Sequence, residues 1–169
     1  MSSTKKYILS AAGVQKKMRR MALEVAEQHY NTAELILLGI PESGMVIAHA
    51  MQALLAELLS GKVVVGKLAM DKQNPKSVAL EPLMDCKNKA IIIIDDVANS
   101  GKTMLYALKP LLETYPAMIQ TLALVERTHK SFPIALDYVG LSISTTLDEH
   151  IYVEVAENEI TGAWMEVLS

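Results

Sequence analysis

Asp95 and Asp96 stand side by side and are followed, after Val97, by the turn Ala98-Asn99-Ser100-Gly101-Lys102-Thr103. Paired carboxylates are acceptors suited to paired hydroxyl donors, such as the diol of a sugar. The turn offers free backbone N–H groups, two hydroxyls (Ser100 and Thr103) and the start of a helical pattern, a combination that suits a phosphate. A diol acceptor and a phosphate acceptor a few residues apart describe a site for a sugar phosphate. Two rival motifs fail. A P-loop needs a glycine at position 96, five residues before Gly101-Lys102-Thr103, and Asp96 there would face a triphosphate with negative charge. No G-x-G-x-x-G follows a strand pattern, so the dinucleotide fingerprint is missing as well. A plainer alternative is a buried strand whose acids only cap the next helix. A cap needs one acid, however, and this turn has two, followed by a phosphate-type loop.

The elements that must position these groups can be read outward from them. Ile91, Ile92, Ile93 and Ile94 form an unbroken β-branched run, the pattern of a strand buried on both faces of a parallel sheet. In open sheets of that kind ligands bind at the carboxyl edge, near a topological switch point. Val14, Met18, Met21, Ala22 and Val25 recur at helical spacing, which predicts an amphipathic helix over residues 11–28 with Ser10 as N-cap. Its other face carries Lys16, Lys17, Arg19 and Arg20. Strands are expected over residues 34–38, 63–68, 118–125, 137–142 and 151–155. Helices are expected over 45–59 and 103–113, with Pro110 a late kink. Residues 71–83 are polar, contain Pro75 and Pro82 and show no period, so a mobile loop is expected. Alternating strands and helices predict an α/β fold in a single domain, a mostly parallel sheet flanked by helices.

Composition limits the function. A chain of 169 residues that is 51% hydrophobic can bury a sizeable core, and 21% charged residues keep it soluble. No apolar run approaches the roughly 20 residues of a membrane span. The opening Met-Ser-Ser-Thr-Lys-Lys lacks the apolar centre of a signal peptide. Cys86, the single cysteine, excludes an intrachain disulfide and fits a reducing cytosol, so a cytoplasmic location is expected. A net charge of −3 argues against non-specific nucleic-acid binding without excluding a local basic patch. His29, His49, His129 and His150 show no metal-ligand spacing.

Residues 91–103 resemble the phosphoribosyl-pyrophosphate (PRPP) motif of the type I phosphoribosyltransferases: four apolar residues, two acids, and a small-residue turn ending in Thr/Ser-Gly-x-Thr. The resemblance implies that family's fold, with a small hood over the sheet. It also implies that Asp95 and Asp96 hold the ribose hydroxyls as the catalytic acids. Ala98, Asn99, Ser100, Gly101, Lys102 and Thr103 would then hold the 5′-phosphate. Residues 36–44 occupy the place of the family's pyrophosphate loop, with Pro41, Glu42, Ser43 and Gly44 as the turn. Val125-Glu126-Arg127-Thr128-His129-Lys130, then Pro133-Ile134, then Asp137-Tyr138-Val139-Gly140, are similar to V-D-R-G-H-R, P-I and D-[YF]-V-G of the bifunctional pyrimidine-operon attenuator and uracil phosphoribosyltransferase family. The likeness then covers nearly the whole chain. It implies a base pocket at Glu126, Tyr138 and Val139, with Tyr138 stacking and Val139 using its backbone. A core role for Tyr138 on its strand is an equal alternative.

What the resemblance implies for activity is transfer of 5-phosphoribosyl from PRPP to a base nitrogen, with Mg²⁺ held mainly by PRPP and no direct protein ligand. In the 6-oxopurine enzymes an aspartate stands where this chain has Asn99, and a lysine where it has Glu126; both changes argue against hypoxanthine or guanine, and the resemblance to the attenuator family implies a pyrimidine, uracil. Partners implied are PRPP, a nucleobase and further copies of the chain in a homo-oligomer. RNA on the basic helix is a less favoured alternative, a solvated helix face being the plainer one. Three departures point to a homologue with weakened or lost catalysis. Glu42-Ser43 replace the attenuator family's Thr-Arg, and a cation exchanged for an anion beside pyrophosphate costs a few kcal/mol, taking about 4 kcal/mol per pair at 4 Å and effective dielectric 20. The 71–83 segment is short for a catalytic flap and has Lys72 and Lys76 but no arginine, and Leu141 stands where lysine is usual.

Overall fold

The computed structural model describes residues 3–168. Its centre is the isoleucine strand β5 (Ala90–Ala98), which pairs in parallel with β2 (Glu34–Gly39) on one side and β6 (Met118–Arg127) on the other. Parallel strands β3 (Lys62–Met70) and β7 (Tyr138–Ile143) extend the sheet outward, and antiparallel β4 (Val78–Glu81) closes one edge, giving the order β4-β3-β2-β5-β6-β7. The four isoleucines are fully buried, and alternation splits them between two cores. Ile92 and Ile94 pack with Leu35 and Leu37 toward α1 (Ala11–His29) and α2 (Ser43–Leu58). Ile91 and Ile93 pack with Ile36 and Leu38 toward α3 (Lys102–Ala107) and α4 (Lys109–Leu112). Each such burial stabilises by about 2 kcal/mol before entropy is counted. A continuous apolar run was needed because both faces are covered.

α1 begins as expected, with the Ser10 hydroxyl accepting from the Gly13 N–H at 3.1 Å, and buries Val14, Met18, Met21, Ala22 and Val25. A second, three-stranded antiparallel sheet in the order β1-β9-β8 forms the hood: β1 (Ser3–Leu9), β8 (His150–Ala156) and β9 (Glu159–Leu168). It docks through Leu9, Ile151, Ile160 and Ala163 onto the α1–α2 core. Across its other face Tyr7 pairs with Trp164, which stacks on Tyr152 at 4.4 Å between centroids.

The structure differs from the expectations in three places. β1 and β9 are strands that no pattern announced. The β8–β9 hairpin turns on Glu157 and Asn158, both at positive φ, where the sequence signal would normally include a glycine. Within the expected loop 71–83, β4 pairs with the last four residues of β3, a strand too short and too closely flanked by proline to show a period. Pro110 does not kink one helix; it sits in the first turn of α4, after α3 has ended at Ala107.

Tyr138 is a core residue. Its ring is 1% exposed, and its hydroxyl donates to Gln120 Oε1 at 2.9 Å. The same oxygen lies 2.7 Å from His29 Nε2, while His29 Nδ1 lies 3.1 Å from the Thr32 hydroxyl. This buried polar triad ties α1 to β6 and β7. Stacking on a base is therefore closed to Tyr138.

Candidate functional site

The chain runs from β2 outward to β3, then returns to the other side of β2 as β5. The β2–β5 boundary is thus a topological switch point, and the loops leaving the carboxyl ends of both strands diverge there to leave a crevice. The expected pyrophosphate loop, residues 41–44, is a turn at Pro41 and Glu42 followed by the first two residues of α2. It is pinned by the Ile40 N–H donating to the Ile94 carbonyl at 2.8 Å. Gly44 is needed because a Cβ there would lie 2.6 Å from the Ile94 carbonyl oxygen and 3.2 Å from the Asp95 Cα. α2 consequently starts directly against the acid pair. The Pro41–Glu42 peptide is cis, Glu42 is exposed, and Pro41 and Ser43 are half-buried.

At the end of β5 the side chain of Asp95 is 2% exposed and that of Asp96 is 18% exposed. Each acid bonds to local backbone: the Asp96 N–H donates to Asp95 Oδ1 at 2.9 Å, and the Val97 N–H donates to Asp96 Oδ1 at 2.8 Å. The Lys72 ammonium bridges the two, 2.7 Å from Asp95 Oδ1 and 3.5 Å from Asp96 Oδ1. Burial first, then the charge of Asp96, push the Asp95 carboxyl up to about 7, and Lys72 opposes this without overcoming it. Burial works to lower Lys72, but the charges of Asp95 and then Asp96 prevail and hold its ammonium above the usual lysine range.

The turn that follows is formed around Gly101, whose φ of 86° lies in the left-handed region. The Ser100 carbonyl accepts from both the Ser131 and Phe132 N–H groups at 3.0 Å, and the Ser100 hydroxyl accepts from the Lys102 N–H at 3.3 Å. Asp95 and Val97, with Ala98 through Met104, line one small concavity of about 40 Å³. The diol-type acceptors and the phosphate-type turn therefore share one edge, Asp95 contributing to both. Asn99 and Ser100 also line a neighbouring cleft of about 390 Å³, completed by Arg127, Thr128, His129, Ser131, Thr145, Thr146 and Leu147. That volume lies in the range of small-molecule pockets. A larger cavity of about 670 Å³ lies between the 41–44 loop and the hood, lined by Glu42, Ser43, Met45, Val46, His49, Val155 and Asn158, and touches neither aspartate.

The residues expected around a base are distributed differently. Glu126 is on β6 beside the cleft, ion-paired with Lys130 and accepting from the Ser142 hydroxyl at 2.9 Å. Val139 is half-buried on β7, and its carbonyl already accepts from Arg20 Nη2 at 2.8 Å, as does that of Gly140. Arg20 is thereby an anchor of α1 rather than part of a free basic face. Sequence reasoning did not assign Arg127, His129 or Thr146 to the site, nor place Lys72 on the acids. Arg127 reaches across the cleft to the Thr146 carbonyl at 2.7 Å. Thr145 Oγ1, in the same lining, is buried without a partner among the described residues. Only the basic residue beside Glu126 in the sequence could have signalled this.

Among the described residues no three His, Cys, Asp or Glu side chains converge as a metal cage, and no helix is long and apolar enough to cross a membrane.

A parallel sheet with an acid pair at its switch point and an anion-type turn directly after the same strand defines the type I phosphoribosyltransferase fold. Solved structures agree. A hypoxanthine-guanine phosphoribosyltransferase from Bacillus anthracis matches with a TM-score of 0.75 and 18% identity over 98% of this chain and 100% of its own. The hypoxanthine phosphoribosyltransferase of Trypanosoma cruzi matches at 0.73 and 14% over 82% of each. The phosphoribosyl transferase domain profile matches residues 6–159, and the chain belongs to that family. Its relatives include proteins called "Bifunctional protein PyrR". That of Staphylococcus epidermidis is 34% identical over 164 residues, 91% of this chain and 94% of the relative. That of Oceanobacillus iheyensis is 31% identical over 167 residues, 92% and 93%.

Proposed function

We propose that the protein transfers the 5-phosphoribosyl group of PRPP to a nitrogen of a pyrimidine base, uracil, releasing pyrophosphate. The observation that carries this reading is the shared concavity of Asp95 and the 98–103 turn. In it the 5′-phosphate takes hydrogen bonds from the turn's N–H groups and from the Ser100 and Thr103 hydroxyls, while the ribose hydroxyls donate to Asp95 and Asp96. The bond from C1 to the pyrophosphate oxygen breaks with both electrons leaving on pyrophosphate. The base nitrogen then forms the new C1–N bond and gives up its proton to solvent. The protein's part is to position these groups and hold the charges that develop. The residues fit Mg²⁺ carried in on PRPP oxygens, for which Asp95 and Asp96 are the carboxylates that would hold its waters. When bound, that ion would neutralise pyrophosphate charge. The 390 Å³ cleft beside Asn99 is the place for the base. Glu126 there is neutralised by Lys130, so no free lysine faces a 6-oxopurine oxygen from that position.

The test is pyrophosphate release from PRPP with uracil. Asp96→Asn, which keeps the shape but removes the charge, should lower the rate at least about 100-fold. Binding of PRPP without turnover on any nucleobase would sink the transferase reading. A second, regulatory reading rests on Lys16, Lys17 and Arg19, which lie on α1 away from its buried face. It requires a salt-dependent RNA shift, and absence of one at low salt removes it. We also read the protein as cytoplasmic, on its single cysteine, Cys86, and as a homo-oligomer, on the small-residue face that α2 leaves exposed at Ala50, Ala53 and Ala56.

A further inference from the structure

The hood turns one face to the α1–α2 core and leaves the other open to solvent. On the open face, side chains form rows across the strands, set by the pairing of β9 with β1 and β8. Lys5 and Glu166 share the first row, Tyr7, Trp164 and Tyr152 the second, and Glu154 stands in the third. Tyr7 is 55% exposed and Tyr152 42%, an unusual amount of aromatic surface to leave in water. Both acids are bonded to the ring row. The Tyr152 hydroxyl donates to Glu166 Oε2 at 3.3 Å, and the Tyr7 hydroxyl donates to Glu154 Oε1 at 3.0 Å. A cation already sits there. The Lys5 ammonium is ion-paired with Glu154 and lies 4.7 Å from the Tyr7 ring centroid and 4.6 Å from that of Trp164. Ring faces and carboxylates attract the same guest, and Lys5 shows what kind of group this face receives. None of these residues lines the Asp95 concavity, the 390 Å³ cleft or the 670 Å³ cavity.

The rows recur at every second residue of β9, ~7 Å apart at about 3.4 Å per residue. Alternate side chains of an extended peptide have that same spacing. An extended segment laid along the strands, with arginine at alternate positions, therefore meets Glu166, then the rings, then Glu154, one cation to each row. From this match we infer that the open face of the hood is a docking surface for an arginine-bearing extended segment of another protein, whose guanidinium groups stack on the rings and displace Lys5 from Glu154. A guanidinium is planar and stacks on aromatic faces better than the ammonium that holds the place. A strand surface open to solvent suits a macromolecule, since free small molecules are held in concave pockets. Nucleic acid is disfavoured, because its phosphates would meet Glu154 and Glu166.

The measurement is fluorescence anisotropy of a labelled peptide alternating arginine and threonine, titrated with the full chain. Tyr152→Leu, which removes a ring, and Glu166→Gln, which removes a charge, should each weaken binding about 3-fold, the scale of exposed cation–π and ion-pair contacts. Tyr152→Phe keeps the ring and should bind as the natural protein does. Lys5→Ala vacates the rings and Glu154, and should tighten binding about 3-fold. If Tyr152→Leu does not melt cooperatively, Tyr7→Leu is read in its place. A surface attracting by charge alone would respond to Glu166→Gln and not to Tyr152→Leu, and that pattern overturns the docking face. So does absence of binding at millimolar protein, equal binding of a peptide with glutamate in place of arginine, or weaker binding by Lys5→Ala. A labelled oligouridylate whose binding the same variants weaken would give the face to RNA and overturn it as well.

Discussion

A single carboxyl group sets the electrostatic character of the site. Asp95 is drawn into the sheet by the strand that carries it, and burial raises its pKa to about 7 from an ordinary 3.8. Between pH 4 and 7 the folded protein therefore holds a proton that the unfolded chain has released. Stability contributed by this group is present at the acid end of that window and falls as pH rises through it. Melting temperatures measured over pH 4–8 should accordingly decline for the natural protein relative to Asp95→Asn, which has no proton to lose. Parallel pH curves for the two would contradict the burial argument. The motif itself was legible because acids, glycine and hydroxyls at fixed spacing carry their chemistry in their identity. Lys72 was not, because its role depends on where a turn happens to aim a long side chain.

At the level of elements, β5, α1 and the mostly parallel character of the sheet could be read from periodicity and from the alternation of strands and helices, since the burial of each is imposed by its neighbours on two sides or one. β1, β9 and β4 could not. β4 is very short, and β1 and β9 are terminal strands paired across nearly the whole chain, as Ser3 with Leu168 illustrates. Tyr138 shows the same limit from within a strand. An aromatic on a parallel edge strand can face either the core or a ligand, and only tertiary packing decides. Its hydroxyl bond to Gln120 predicts a loss of about 1 kcal/mol for Tyr138→Phe in chemical denaturation. The affinity for a base should be unchanged. A large drop in that affinity with intact stability would restore the stacking role.

For the whole molecule, the question is whether the hood and the large sheet behave as one body. Leu9, Ile151, Ile160 and Ala163 share a core with Val14, Met18 and Ile47, which argues for a single cooperative unit. Trp164, the chain's one tryptophan, lies in the hood, whereas most helical signal comes from α1 and α2. Denaturation followed by tryptophan fluorescence and by far-ultraviolet circular dichroism should give coincident midpoints. Separated midpoints would mean two independently stable parts. One contact described above carries a wider consequence. β7 is the outermost strand on its side of the sheet, and Arg20 occupies two of its carbonyls. Exposed strand borders of this kind are where foreign chains add on and fibrils begin to grow. The guanidinium that fastens the first helix thus takes up acceptor capacity on a strand at the margin of the sheet.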